Sequence, residues 1–469
     1  MVRASAPGPS RRDLSAAGDE TGSGVRAREW HPVLVSNDVR TNWAGNLTYS
    51  AGAVARPGTP EELADLVGGS DRIKALGSRH SFCDVADTTG THVLLDVYDD
   101  GRPAVVVDAA TGVASLRAGL LYGQAGTALL ERGRALRTMA SLPHISLAGA
   151  IATATHGSGD ANGCLASDVV GLEIVTADGE ARTLRRGDAD FPGAVVGLGA
   201  LGVVTRVEMA TDPAFEVSQD VVVDLPWEAL LTDLEAVTGA AYSVSAFTLW
   251  DEDAVSQVWL KSRVAGSSDG QAGDATGERR RPARDVLLDL GARDAPGPMH
   301  PLAGEDPAAS TVQGGVPGPA HERLPHFRAE HKPSTGAELQ SEYLVPREHA
   351  AEAIEAMREL GPKVAPLLFA SEIRTVAGDD LWLSPFDGAT LALHFTWKPD
   401  DDAVRAVLHD LEAALLPWGA RPHWGKIFVA KPAELAAMYP RFDDFAALAQ
   451  RLDPRGKFRG GYLTEILPA

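Results

Sequence analysis

From Ala140 to Gly159 the chain runs almost without large side chains, as ASLPHISLAG and then, after Ala150-Ile151-Ala152, TATHGSG. Small side chains leave backbone amides reachable, and serine and threonine hydroxyls donate to phosphate oxygens, so such a stretch suits a pyrophosphate-bearing cofactor. Close backbone packing would explain the glycines and alanines. It does not explain the hydroxyls or His156. A second stretch, from Ile73 to Phe82, breaks a short apolar run into glycine and small hydroxyls before a histidine, GSRHSF from Gly77 to Phe82. Glycine lets the backbone approach a bulky polar ligand, and successive amides in such a turn form an anion-holding concavity. A lone turn histidine is more commonly a hydrogen-bonded surface residue; the two stretches together favour a cofactor cradle.

The 469 residues predict two to four domains, each long enough for a core of its own. Lysine and arginine number 43 against 64 acidic residues, a net charge of −21. That balance opposes the counterion release behind nucleic-acid binding and opposes docking on anionic lipid. Cys83 and Cys164 make neither a disulfide framework nor a zinc cage, which fits a reducing, cytoplasmic location. Ser10-Arg11-Arg12 is followed by polar and acidic residues where an export signal needs an apolar run, and no window is apolar for long enough to span a bilayer.

Residues 1–38 mix Ser, Gly, Arg, Asp and Pro without periodicity and are expected to form a disordered extension. From there the pattern predicts strands over Val54–Pro57, Ile73–Leu76, Val93–Asp96, Ala104–Asp108 and Val113–Arg117. Helices are expected after the Thr59-Pro60-Glu61-Glu62 start, through Val67, and over Leu121–Arg132. Val169–Thr176 and Ala181–Leu184 flank a hairpin with Asp178-Gly179 at its centre. Gly197–Gly202 formally matches a dinucleotide fingerprint but lacks the strand before and the helix after, so it reads as a decoy, a turn feeding the strand Val203–Met209. A helix over Pro226–Val237 and a strand over Ser243–Leu249 open a second domain. Gly266–Pro319 reads as a mobile excursion with at most brief structure. His321, His326 and His331 recur every five residues, a spacing at which helical neighbours do not converge, so no metal site is expected. Strands Glu338–Val345, Leu367–Val376 and Thr390–Trp397 and helices Arg347–Leu360 and Asp401–Leu416 complete the pattern.

On Leu367–Val376, Glu372 and Arg374 have the same parity and point to one face. On Thr390–Trp397, Leu391, Leu393, Phe395 and Trp397 share one face and leave His394 and Thr396 on the other. Two such strands can line one wet cavity. Taken alone, the first pattern is more simply an exposed Glu-Arg pair on a sheet surface.

The turn GSRHSF, the run MASLPHISLAGAIATATHGSG and the later HWGK together resemble the flavin-dependent alditol oxidases, within the vanillyl-alcohol-oxidase-type flavoprotein superfamily, over roughly Thr41–Tyr462. The resemblance implies an α+β, two-domain flavoprotein: a PCMH-type FAD-binding domain over 39–212, an inserted antiparallel-sheet substrate domain over 213–420 (irregular over 266–319), and a C-terminal segment, 421–469, that returns to the FAD domain. It implies FAD joined covalently to His80 through the C8 methyl group. The family's usual turn has glycine where this chain has Arg79.

The resemblance also distributes roles. Around the cofactor it places Ala75, Leu76, Gly77, Ser78, Arg79, His80, Ser81, Ser141, Ser146, Gly149, Thr153, Ala154, Thr155, His156, Val204 and His423. Around the substrate it places Ser141, Glu372, Arg374, Thr396 and Lys426, with Lys426, Arg374 and Glu372 in the catalytic part. A polyol offers only hydroxyls, which these donors and acceptors can read. The implied reaction is oxidation of a terminal alcohol of xylitol, sorbitol or a related polyol, with hydride passing to flavin N5 and dioxygen giving peroxide; the partners are the polyol and dioxygen, and the protein a monomer. Other readings are a sugar-lactone oxidase, a nicotinamide-dependent flavin reductase and a flavoprotein that binds sugar without turnover.

Overall fold

The computed structural model describes residues 40–264, 281–331 and 337–467. The opening segment 1–38 and residues 266–280 of the expected excursion lie outside the described residues. In the first half, β1 (Ala53–Ala55), α1 (Pro60–Gly69), β2 (Ile73–Ala75) and β3 (Thr91–Val93) form a small layer in which β3 lies between and parallel to β1 and β2. The start of α1 follows from local chemistry: Thr59 Oγ1 accepts from Glu62 N at 3.2 Å and Pro60 occupies the first helical position. β3 begins and ends earlier than the Val93–Asp96 pattern suggested. After Val93, Leu94 N donates to Ala55 O and the chain turns out, so Leu94, Leu95 and Asp96 line a cavity instead of extending the sheet.

A second sheet combines β4 (Val105–Val107), β5 (Val113–Arg117), β6 (Val169–Val175), β7 (Ala181–Arg185) and β8 (Val203–Ala210) in the order β4-β5-β8-β6-β7, antiparallel throughout. The helix α2 (Tyr122–Leu130) and the short α3 (Leu147–Ala152) pack beside it, and Leu116, Tyr122, Leu147, Ile151, Leu172 and Val207 share one core. The C-terminal tail closes this half. Ile73 N donates to Lys457 O, Lys457 Nζ donates to Val67 O and Gly68 O, and Phe458 is fully buried beside Leu63, Val67 and Ile73.

Between these pieces lies a nine-stranded sheet. Its long strands are β9 (Glu216–Pro226), β10 (Ser243–Thr248), β11 (Ala254–Arg263), β12 (Leu339–Pro346), β13 (Leu368–Val376) and β14 (Thr390–Trp397), in the order β9-β11-β10-β13-β14-β12, every pair antiparallel. The two-residue strands Arg293–Asp294 and Gly318–Pro319 pair with β9, and Arg421–Pro422 pairs with β12. Helices α4 (Ala350–Val364) and α5 (Asp401–Leu415) cover one face, where Ile354, Met357, Leu408 and Leu411 meet Leu391, Leu393, Phe395 and Trp397. Because side chains alternate along a strand, the other face carries the opposite parity, and it is polar.

Two helix expectations shift. Pro226–Val237 is two short helices, Trp227–Thr232 and Leu234–Thr238, broken at Asp233. The helix expected to stop at Leu360 runs on through Gly361 and Pro362, which sits in the last turn; a Cβ at Gly361 would lie 2.5 Å from Trp250 O, so only glycine permits that approach. The described part of the excursion holds the helix Ala283–Asp289, with Leu287 fully buried, and a single 3₁₀ turn at Pro307–Ala309.

Candidate active site

A cavity of about 450 Å³ separates the first half from the polar face of the large sheet. Its cofactor side is made by the two small-residue stretches, which stitch to each other: Ser146 N donates to Ser78 Oγ at 2.9 Å, and Ser78 N donates to Ser146 Oγ at 3.3 Å. Gly77 is required at this join, since a Cβ there would stand 2.1 Å from Ser146 Oγ. Of the residues expected at a cofactor, Ala75, Leu76, Gly77, Ser78, Arg79, His80, Ser81, Ser141, Ser146, Gly149, Thr153, Thr155, His156, Val204 and His423 all line the cavity. Ala154 does not. The chain turns left-handed there (φ 54°), its N–H donates to Ile151 O, and its methyl group is fully buried in the core.

The Gly197–Gly202 turn is likewise corrected. It feeds β8 and has no fingerprint helix after it, yet Gly197, Leu198, Gly199, Leu201 and Gly202 form part of the same wall, so it is more than a decoy. The left-handed backbone at Leu198, Gly199 and Gly202 brings main chain to the cavity surface.

His80 stacks on Trp43 with ring centroids 5.3 Å apart. Burial, with His144 nearby, pushes its pKa down to about 4, so the ring is neutral. Its Nδ1 is buried and, among the described residues, has no hydrogen-bond partner. The uncharged ring lines the same cavity as the glycines, hydroxyls and reachable amides of the cradle, and FAD fits these residues. Arg79, where the family carries glycine, has φ 66°, the left-handed region that glycine enters at no steric cost.

The opposite wall is a single cross-strand row. Glu342 on β12 pairs with His394 on β14, His394 with Glu372 on β13, and Glu372 with Phe247 on β10. The shared strand parity expected of Glu372 with Arg374, and of His394 with Thr396, puts all four on the cavity. The row supports a continuous polar network. Arg374 Nη2 donates to Glu342 Oε1 at 2.6 Å, and Lys426 Nζ donates to Glu342 Oε2 at 2.7 Å. Lys426 Nζ also lies 2.6 Å from His394 Nδ1, whose Nε2 is 3.1 Å from Thr396 Oγ1. Glu372 Oε2 stands 3.5 Å from Arg374 Nε, and Arg374 Nη1 reaches Ser141 Oγ at 3.5 Å.

The electrostatics follow from enclosure. Burial alone would raise both carboxyls, but Arg374 and His326 outweigh it at Glu372, and Lys426, His156 and Arg374 outweigh it at Glu342, so both stay ionised well below the ordinary range. Burial lowers Lys426, only partly offset by Glu342. It also holds His394 and His423 neutral, the latter down to about 3, with the Lys426 charge adding to the effect. His156 Nε2 is 3.2 Å from Glu342 Oε1 but off the line of an aligned hydrogen bond.

His394, which strand parity already placed on the cavity face, carries this network together with Glu342 and His326, which were not singled out in the sequence as site residues. Glu342 was discoverable: it has the parity of Gln340 and the opposite parity to the apolar Leu339, Tyr343 and Val345. His326 was not, because it comes from a loop. His321, five residues earlier, sits instead beside Thr127, its Nε2 3.5 Å from the hydroxyl.

Residues 51–185 match the model of an FAD binding domain, and residues 337–466 match the model of D-arabinono-1,4-lactone oxidase. The fold is that of cholesterol oxidase from B. sterolicum, at a TM-score of 0.69 and 15% identity, covering 94% of this chain and 100% of that one. Fold and cradle thus define an FAD-linked oxidoreductase of the PCMH type, mixed α and β. Over 91% of this chain and 98% of the relative, the sequence is 47% identical to an alditol oxidase from a Streptomyces strain. It is 30% identical, again over 91% and 98%, to L-gulono-1,4-lactone dehydrogenase from Mycobacterium tuberculosis. The chain belongs to the alditol oxidase family. Among the described residues no helix is long and apolar enough to cross a membrane.

Proposed function

We propose that this protein oxidises a terminal primary alcohol of a polyol such as xylitol or sorbitol, giving the aldose and hydrogen peroxide, with FAD attached through His80. The observation that carries the reading is the polar row: two carboxylates, a guanidinium, a lysine, an imidazole and a hydroxyl, all on one cavity wall facing the cradle. A substrate made of hydroxyls needs fixed donors and acceptors of both kinds. When bound, FAD supplies the hydride acceptor and the route of electrons to dioxygen.

The chain's own residues handle the proton. Lys426, whose pKa burial lowers, donates to Glu342 Oε2 and lies 2.6 Å from His394 Nδ1, so that in its neutral form the amine has its lone pair left for the substrate. It takes the hydroxyl proton as the carbon is oxidised. Arg374, held by Glu342, stabilises the oxygen that becomes negative, and the new ammonium on Lys426 stays beside it. Glu372 and Thr396 orient the remaining hydroxyls.

Three experiments test this. Anaerobic mixing with xylitol, sorbitol, mannitol and a sugar lactone, followed by air and a peroxide assay, should bleach and restore the flavin with the polyols. Bleaching by the lactone alone would overturn the substrate reading in favour of a lactone oxidase, and bleaching with no peroxide would make it a dehydrogenase. The buried, partnerless Nδ1 supports attachment at His80, so acid-precipitated protein should stay yellow and fluoresce at the polypeptide band of a denaturing gel; colour left wholly in the supernatant refutes it. We take the protein as a cytoplasmic monomer, a location that its two free cysteines fit; sedimentation should give a mass near 49.3 kDa.

A further inference from the structure

Behind Glu372 the large sheet carries a second buried cation that the proposed chemistry does not use. Lys261 on β11 is 1% exposed, and His326, from the loop after Leu324, is 5% exposed. Lys261 Nζ donates to the carbonyls of Leu324 and of Pro325 (3.0 Å) and lies 3.0 Å from His326 Nδ1. On the far side of the ring, His326 Nε2 lies 2.7 Å from Glu372 Oε1. The imidazole is held edge-on between Phe247 and Trp259, with centroids 5.5 and 5.3 Å away, and its backbone N–H is tied to Ser141 O at 3.1 Å.

An ammonium has three protons, and here two carbonyls and one ring nitrogen take all three. Nδ1 is therefore an acceptor, and the single ring proton is left on Nε2, pointing at Glu372. We propose that Lys261 and His326 are positioning residues for the polyol reaction: Lys261 sets the His326 tautomer, and the Nε2–H so fixed clamps Glu372 Oε1, leaving the carboxylate's remaining acceptor positions to the substrate's hydroxyls.

Without the lysine, His326 would be free to move its proton to Nδ1 and bond to a loop carbonyl. It would then turn a lone pair on Glu372, and the two like partners would separate. The charges facing the dyad are Glu372 and Arg374, both on β13; His394 on β14, which also faces Glu372, is neutral. Burial lowers Lys261 to about 7, partly offset by Glu372, and lowers His326 to about 4, with Lys261 adding to the effect, so below neutrality the proton resides on the lysine.

The inference rests on the alditol reading for its substrate, and a carboxamide separates tautomer control from mere packing. Glutamine at position 326 keeps an acceptor for Lys261 and a donor for Glu372 but cannot tautomerise. His326→Gln should keep the polyol KM within about threefold of wild type, whereas His326→Leu should raise it about tenfold or more, as loss of a hydrogen bond to a charged group does, with a smaller change in kcat. Lys261→Met should raise KM strongly beside His326 and little beside Gln at 326. Equal damage in both backgrounds, or His326→Gln as impaired as His326→Leu, overturns the proposal. A readout without turnover accompanies the cycle: in ¹⁵N-histidine-labelled holoprotein at pH 6, the signals lost in His326→Gln should be those of a neutral ring protonated at Nε2, and should move to the other tautomer in Lys261→Met. A ring already protonated at Nδ1 in the wild type refutes the clamp even if no polyol proves to be a substrate. The reverse result, the correct tautomer with no oxidation of polyols, refutes only the substrate reading.

Discussion

Neutralising Glu342 is the most informative single perturbation, because this carboxylate holds Arg374 and Lys426 at once. At 2.7 Å and an effective dielectric constant of about 20, its attraction for a Lys426 ammonium is about 6 kcal/mol, an upper bound of about four pK units on its support for the charged amine. Glu342→Gln keeps the shape and removes that support, and it also frees Arg374 to repel an ammonium nearby. The Lys426 pKa therefore falls further. If the neutral amine takes the substrate proton, the wild-type rate declines as pH drops through the Lys426 pKa, and the variant's decline must come at lower pH by about one unit or more. The assay is the rate constant of anaerobic flavin reduction by saturating xylitol from pH 5 to pH 10, in a stopped-flow instrument. An acid limb that stays in place, or that moves to higher pH, would refute Lys426 as the proton acceptor. The variant should also be less stable by about 3 kcal/mol, since it leaves the buried Arg374 guanidinium with a neutral partner in place of a carboxylate, and thermal melts of the holoprotein check that.

Lys426→Met should slow the same anaerobic reduction by about two powers of ten or more; an unchanged rate removes Lys426 from the chemistry. Arg79→Gly should raise stability by about 0.5–1 kcal/mol, the left-handed strain of about 1–2 kcal/mol being partly offset by glycine's entropy and by loss of the 3.2 Å bond from Arg79 Nη1 to Thr41 O; a lower denaturant midpoint would show that the arginine's contacts outweigh the strain. Buried neutral histidines make stability pH-dependent. His326 and His423 have folded pKa values, about 4 and about 3, below the unfolded value of about 6.5. The unfolded chain thus binds protons first, and stability present above pH 6.5 is lost as pH falls towards 4, by about 3 kcal/mol per group; a melting temperature constant from pH 7 to pH 4.5 would contradict this.

The alternation of β13 and β14 was legible because the apolar partners are so regular: Leu391, Leu393, Phe395 and Trp397 on β14 all bury against α4 and α5, which forces His394 and Thr396 to the cavity. The cradle was legible for the opposite reason, since a run that lacks large side chains can do little besides approach a ligand or another backbone. Ala154, placed at the cofactor by the resemblance, does not reach it: composition and likeness mark a stretch, but one left-handed residue decides which side chains face the cavity. The Gly197–Gly202 turn was set aside because its flanks fail the dinucleotide pattern. Yet wall-building needs only main chain brought close, and positive φ supplies it. Glu342 and His326 needed register and loop path. Which strand lies beside β14, and where the residues after Pro325 return, are set by long-range packing that spacing along the chain does not encode.

The charge count of the pocket connects these parts. Glu342 and Glu372 are both ionised, and Arg374 balances one of them. If Lys426 is neutral before reaction, as the proposed role requires, the second carboxylate would lie uncompensated in a buried site, which is costly. Below neutrality Lys261, its pKa lowered to about 7, supplies that charge from behind the wall, without placing an ammonium where the substrate must bind. The cavity is then neutral overall and rich in acceptors, which suits an uncharged polyhydroxy substrate. An aldonate would bring a carboxylate to a wall whose guanidinium is already paired with Glu342 at 2.6 Å. It should therefore bind at least tenfold more weakly than the alditol of the same length, and an aldonate that competes as well as its alditol would show that Arg374 is free to leave Glu342.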